Sequence, residues 1–254
     1  MRSRWVVGVV LALAFMGGPA SAQTAGRRDS VAAGPLFTRT DGWLTGAFAV
    51  ATAVAWPHDE SFARRMQLPG NQNNGTLRNS ATVFRNLGDP GTVIIAVGLW
   101  GAGRLTHDST MSEIGLRSSE AIGASGIAGW VLKSIAGRAR PRVNIDRPHD
   151  FKLGRGFGTS GDYQSFPSGH TLAAFSLASV VTAEAGKFWP DHQILIGTLS
   201  YGGAAAVGVS RMYNNAHWAS DVVLGAGIGT LAGIMAVKWN EMHPNNWFDR
   251  ILLQ

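Results

Sequence analysis

The chain has 254 residues, 45% of them hydrophobic, a formal net charge of +6 and no cysteine. That length and apolar content suffice for one domain with a sizeable core. The lack of cysteine excludes thiol catalysis, disulfides and cysteine–metal sites while leaving the compartment open.

In chain order, residues 1–22 read as a secretory signal peptide. Arg2 and Arg4 form the positive start, Trp5 to Met16 the apolar stretch, and Ala20-Ser21-Ala22 the small-residue site, with cleavage expected before Gln23. The competing reading is an uncleaved anchor, for which the apolar run is short. Loss of Arg2 and Arg4 would lower the charge from +6 to +4. Residues 23–40 are polar and read as a flexible lead-in to a single helical domain over 41–254.

Helices are expected over 42–56, 91–104, 110–138, 169–186, 192–209 and 217–240. Breakers separate them: Pro57, Pro69-Gly70, Asp89-Pro90-Gly91, Pro141, Pro148 and Pro190. No alternating strand pattern of useful length appears, so the fold class is all-α, a bundle of about six core helices. The stretches 57–90 and 142–166 read as loops, with a turn-rich segment over 67–75.

Gly225, Gly229 and Gly233 share one helix face and allow a neighbouring backbone to come close. Close packing of that kind suits a tight soluble bundle and a membrane bundle alike. Trp43 and Trp56 lie only about 20 Å apart along a helix, short of a hydrocarbon core of roughly 30 Å, whereas Trp218 to Trp239 spans about 32 Å. If the signal is cleaved and all six helices cross, the loops after the third and fifth face the cytoplasm. A periplasmic site then needs non-spanning helices or an odd number of spans before it. The expectation is an exported protein, periplasmic or peripherally attached, with embedding in the membrane left open.

Between Lys133 and Arg155 lie seven basic residues, Lys133, Arg138, Arg140, Arg142, Arg147, Lys152 and Arg155, against Asp146 and Asp150. An anionic small-molecule site explains this cluster more simply than nucleic acid, because no basic stripe interleaved with aromatics accompanies it.

Three segments carry the chemistry: Lys133-x6-Arg140-Pro141, Pro167-Ser168-Gly169-His170, and Ser210-Arg211-x5-His217-x3-Asp221. Lys133 falls near the end of a helix stopped before Pro141, so it can point back to a site that Arg140 reaches from the loop. Arginine forks onto two oxygens of a phosphate, and lysine adds a point charge. Ser168 is placed as an N-cap, and the amide of Gly169 belongs to a helix N-terminus suited to anions. His217 and Asp221 stand four apart on one face, so the carboxylate can take a ring proton and leave the other nitrogen as an attacking lone pair. Arg211 reaches the same anion across the intervening turn, which Ser210 shapes. The remaining histidines, His58, His107, His149, His192 and His243, read as surface residues. No metal site or cofactor is indicated, since HExxH, a carboxylate triad and cysteine ligands are all missing.

This ordered set resembles the type 2 phosphatidic acid phosphatase superfamily, which includes envelope lipid phosphatases, class A acid phosphatases and vanadium haloperoxidases. The resemblance covers roughly residues 90–240 and leaves 23–90 without a motif. It implies a helical bundle and a metal-independent phosphatase acting on a phosphorylated small molecule or lipid. His217 would attack phosphorus, Asp221 orient it, and His170 serve as acid and then base. Lys133, Arg140, Ser168, Gly169 and Arg211 would hold the phosphoryl oxygens. A vanadium-dependent haloperoxidase and a non-catalytic anion-binding envelope protein remain open alternatives at this point.

Overall fold

The computed structural model describes residues 35–158, 160–244 and 246–253. The signal peptide and most of the lead-in lie outside these residues. The helices are α1 (Arg39–Ala55), α2 (Asp59–Met66), α3 (Pro69–Gln72), α4 (Gly75–Asn86), α5 (Thr92–Thr106), α6 (Ser109–Ala136), α7 (Gly169–Phe188), α8 (Gln193–Tyr213), α9 (Ala219–Met242) and α10 (Trp247–Leu252). No strand occurs among the described residues, so the fold is the expected all-α bundle. α1 and α5–α9 match the six expected helices to within a few residues.

The reading of 57–90 as loop is corrected. Short polar helices fill it because each carries its own local supports. α2 starts on Asp59 and Glu60 and ends on Arg64 and Arg65, matching the helix dipole, and Glu60 pairs with Arg64 at 2.9 Å. Asn74 caps α4 through the Leu77 amide at 3.1 Å.

α7 is the central helix and packs against α6, α8 and α9. The glycine stripe of α9 is what brings α7 close. A Cβ on Gly229 would lie 2.2 Å from the carbonyl oxygen of Leu172, and one on Gly225 would lie 2.7 Å from that of Ser168. The core between α1, α7, α8 and α9 is filled by Phe48, Phe175, Val207, Val222 and Val223.

The outer faces of these helices are apolar. Trp43, Val50 and Val54 of α1, Ile94 and Val97 of α5, Ile127 and Trp130 of α6, and Ile194 and Leu199 of α8 are all exposed. Two segments, Pro190–Tyr213 and Ala219–Met242, are long and apolar enough to cross a membrane. Charge concentrates at the two ends. At one end Lys238 binds Asp41 at 2.6 Å, Lys187 binds Glu113 at 2.9 Å, and buried Arg117 pairs with Glu184. The other end holds the three sequence motifs.

Candidate active site

α6 closes on Gly137, whose φ of 55° is the left-handed conformation favoured by glycine, with its amide on the Lys133 carbonyl at 3.0 Å. The chain beyond is fastened by backbone hydrogen bonds between its loops rather than left loose. Ala139 N–H donates to the Asp150 carbonyl (2.9 Å), Arg140 N–H to that of Asp162 (2.8 Å) and Ser165 N–H to that of Arg138 (3.1 Å). Ser168 N–H donates to the Asp221 carbonyl at 2.9 Å, which docks the second motif on the third.

A cavity of about 390 Å³ opens at this end and is lined by Lys133, Arg140, Gly169, His170 and His217. Lys133 Nζ donates to the Gln164 carbonyl at 3.0 Å and to that of Pro167, and stands 4.0 Å from where a Gly169 Cβ would lie. Arg140 donates to the carbonyls of Gly161 (2.7 Å) and Ala216 (3.3 Å). Those bonds aim its guanidinium at the turn that carries His217. His170 packs on Gly88, where a Cβ would come within 3.2 Å of the His170 Cβ.

Arg211 is buried, and its Nε and Nη1 have no hydrogen-bond partner among the described residues. A buried guanidinium without acceptors is costly, and an anion satisfies it. Its charge acts on both Lys133 and His170. Ser168 sits at the N-cap of α7, but its hydroxyl bonds to that of Thr171 at 2.8 Å rather than capping an amide. Ser210 donates to the Val207 carbonyl at 2.7 Å, inside its own helix.

His217 is buried, and its Nδ1 lies 2.7 Å from the Ser165 carbonyl. A carbonyl only accepts, so Nδ1 carries the proton and Nε2 keeps its lone pair. The four-residue spacing places Asp221 to take that proton directly. Its Oδ2 is 3.6 Å from Nδ1 and instead accepts from Ser165 Oγ (2.5 Å) and Trp218 N–H (2.8 Å). The carboxylate therefore holds the residue that holds the ring. Burial pushes the His217 imidazole well below its ordinary pKa; Asp221 opposes the shift, and Lys133 and Arg140 reinforce it. The ring stays neutral, with the Nε2 lone pair free. Burial, followed by Arg142, also lowers the pKa of Arg140.

Sequence reasoning missed three participants. Ser165 acts through a backbone carbonyl, which leaves no mark in the sequence. Arg138 was hidden within the basic cluster, yet it is fully buried and binds Asp221 at 2.6 Å. Asp59 lies far from every motif in sequence, although it bonds Ser220 beside Asp221. The histidines read as surface residues, His58, His107, His149, His192 and His243, are all exposed.

A family model described as the PAP2 superfamily matches residues 115–244. A lipid A 1-phosphatase of Porphyromonas gingivalis is 44% identical over 69 residues, which is 27% of this chain and 15% of that protein. The crystal structure described as the first transmembrane PAP2 type phosphatidylglycerolphosphate phosphatase, from Bacillus subtilis, superposes with a TM-score of 0.62 at 23% identity. The match covers 82% of this chain and 99% of that one, and at this identity it speaks for the fold.

Proposed function

The chain belongs to the PAP2 superfamily, and on that footing we propose that it is an envelope phosphatase, embedded in the membrane, which hydrolyses a lipid phosphate through a phosphohistidine at His217. The observation that carries this reading is one cavity in which neutral His217 and a second histidine, His170, face Lys133 and Arg140, with the unpartnered donors of Arg211 beside them.

Fixed cations around a phosphoryl group do what a metal ion does elsewhere: they neutralise the charge on the equatorial oxygens as the leaving group departs. Lys133, Arg140, Arg211 and the Gly169 amide take that part here. His217 Nε2 forms the P–N bond as the P–O bond to the leaving group breaks, and His170, protonated once the phosphoryl anion lies beside it, donates that proton to the departing oxygen and is left neutral. His170 then takes a proton from water, the water oxygen bonds to phosphorus, and the P–N bond breaks to release phosphate.

The cavity also supports a lipid leaving group. Its far wall is apolar, built from Val93 of α5, Ile122, Gly126 and Trp130 of α6, and Leu172 and Ala173 of α7. Of these helices, α5 and α6 also expose apolar side chains outward, so an acyl chain in the bilayer can lie against them while its phosphate reaches His217. The test is a panel of lipid phosphomonoesters, lipid diphosphates and soluble esters on protein purified in detergent. Phosphate release from lipids that is abolished by His217→Ala is the expected result. Release only from soluble esters would overturn the lipid assignment, and full activity in His217→Ala would overturn the mechanism.

A further inference from the structure

Behind His217 lies a chain of buried charges that the mechanism above does not use. Arg138 is fully buried, and four aromatic rings surround its guanidinium: Trp56 (5.0 Å), Phe151 (5.0 Å), Trp218 (5.4 Å) and Phe166 (5.8 Å). Such a cage admits no water to solvate the cation, so its partners must be protein groups. Nη1 donates to Asp221 Oδ1 at 2.6 Å and Nη2 to Asp59 Oδ2 at 2.7 Å, while Nε and Nη2 reach the Pro148 carbonyl at 3.0 and 2.6 Å.

Asp59, on α2, is also fully buried. It accepts the Ser220 amide at 2.9 Å and the Ser220 hydroxyl at 2.6 Å, so each of its contacts is with a donor, as the ionised form requires. Asp59 thus holds both Arg138 and the first turn of α9, which carries Asp221. From Asp221 the line continues through Ser165 Oγ to the Ser165 carbonyl and His217 Nδ1.

We propose that Asp59 and Arg138 are positioning residues for the phosphoryl transfer, forming with Asp221 and Ser165 a buried relay that fixes the ring of His217. This rests on the phosphatase reading above. It also gives residues 56–66, which lie outside every motif, a part in catalysis.

The relay also has an electrostatic side. The groups facing His217 are Lys133 from α6, Arg140 and Ser165 from the following loop, Asp221 from α9 and, across the cavity, His170 from α7, with Arg211 of α8 acting on Lys133 and His170. Asp59 offsets part of the Arg138 charge. Removing that anion leaves Arg138 more strongly cationic toward His217, which makes the ring harder to protonate. Removing Arg138 does the reverse. A purely structural role would not move the two variants in opposite directions.

The test uses Asp59→Asn and Arg138→Met in the full chain in detergent, with elution profile and thermal midpoint reporting the fold. For Asp59→Asn, kcat on the lipid phosphate is expected to fall about 10–100-fold, the loss seen when an outer partner of a working group is removed, with KM within about twofold. Its acid limb in kcat/KM is expected to move to lower pH, and that of Arg138→Met to higher pH. Carbon-13 NMR of histidine-labelled protein reads the same opposite shifts in the His217 ring, with His217→Gln identifying its signal. A folded Asp59→Asn variant with unchanged kcat and unchanged His217 titration would overturn the proposal. If Arg138→Met does not fold, Asp59→Asn alone decides. If the wild type hydrolyses no phosphate ester, the phosphatase reading falls, while the ring titrations still test the relay.

Discussion

At the scale of residues, His217 is set by a division of labour among its neighbours. The Ser165 carbonyl fixes the tautomer, Asp221 fixes Ser165, and burial keeps the ring neutral. Because its folded pKa lies below the ordinary value of about 6.5, His217 binds fewer protons folded than unfolded. Its contribution to stability is therefore whole above about pH 6.5 and is lost as the pH falls toward the lowered folded value. Thermal midpoints at pH 7 and pH 5 should differ more for the wild type than for His217→Gln; equal differences would contradict this. Arg211 should matter chiefly in the transition state, where its free donors meet developing charge. Arg211→Ala is expected to lower kcat by about 10²–10³, measured by steady-state turnover at saturating substrate. The side chains that line the cavity were legible in the sequence because their chemistry depends on residue type at fixed spacing. Ser165, Arg138 and Asp59 were not: one works through its backbone, and the other two serve a residue that serves another.

At the scale of elements, two surfaces decide how the helices meet and what they admit. On the inner surface, Gly229 of α9 rests on the Leu172 carbonyl of α7. Gly229→Ala should push the helices apart and cost about 1–3 kcal/mol as overpacking does, read as a lower thermal midpoint in detergent. On the outer surface, a Cβ at Gly126 has no atom within 4 Å, so a larger side chain fits there without strain and narrows the apolar wall of the cavity. Gly126→Leu is expected to raise KM for a long-chain lipid phosphate several-fold and leave hydrolysis of a short soluble ester unchanged. Equal effects on both would contradict a tail-binding wall. The six long helices could be read from apolar runs between breakers. The short helices α2–α4 could not, because caps, an i,i+4 ion pair and packing on α8 stabilise them rather than a periodic apolar face.

At the scale of the whole molecule, each long helix covers only part of its neighbours, and composition alone could not say whether lipid or water covers the rest. The uncharged faces of α1, α5, α6 and α8, with ion pairs kept to the ends, favour lipid. If all six long helices cross, although only two of them are long and apolar enough by themselves, residue 39 and the site lie on opposite sides of the bilayer. The chain has no cysteine, so a single introduced thiol is a unique label. Ser80→Cys in α4 and Ser109→Cys at the start of α6 should react with an impermeant maleimide from opposite sides of a sealed membrane; reaction from the same side would contradict the six-span arrangement. The measurement that bears most directly on the catalyst is mass spectrometry of His170→Asn quenched without acid during turnover of p-nitrophenyl phosphate. That leaving group needs no proton donor, so the first step proceeds while hydrolysis of the intermediate is slowed. The expected result is one phosphoryl group on His217. Phosphate on any other residue, or steady turnover with no phosphorylated protein at any time, would contradict it.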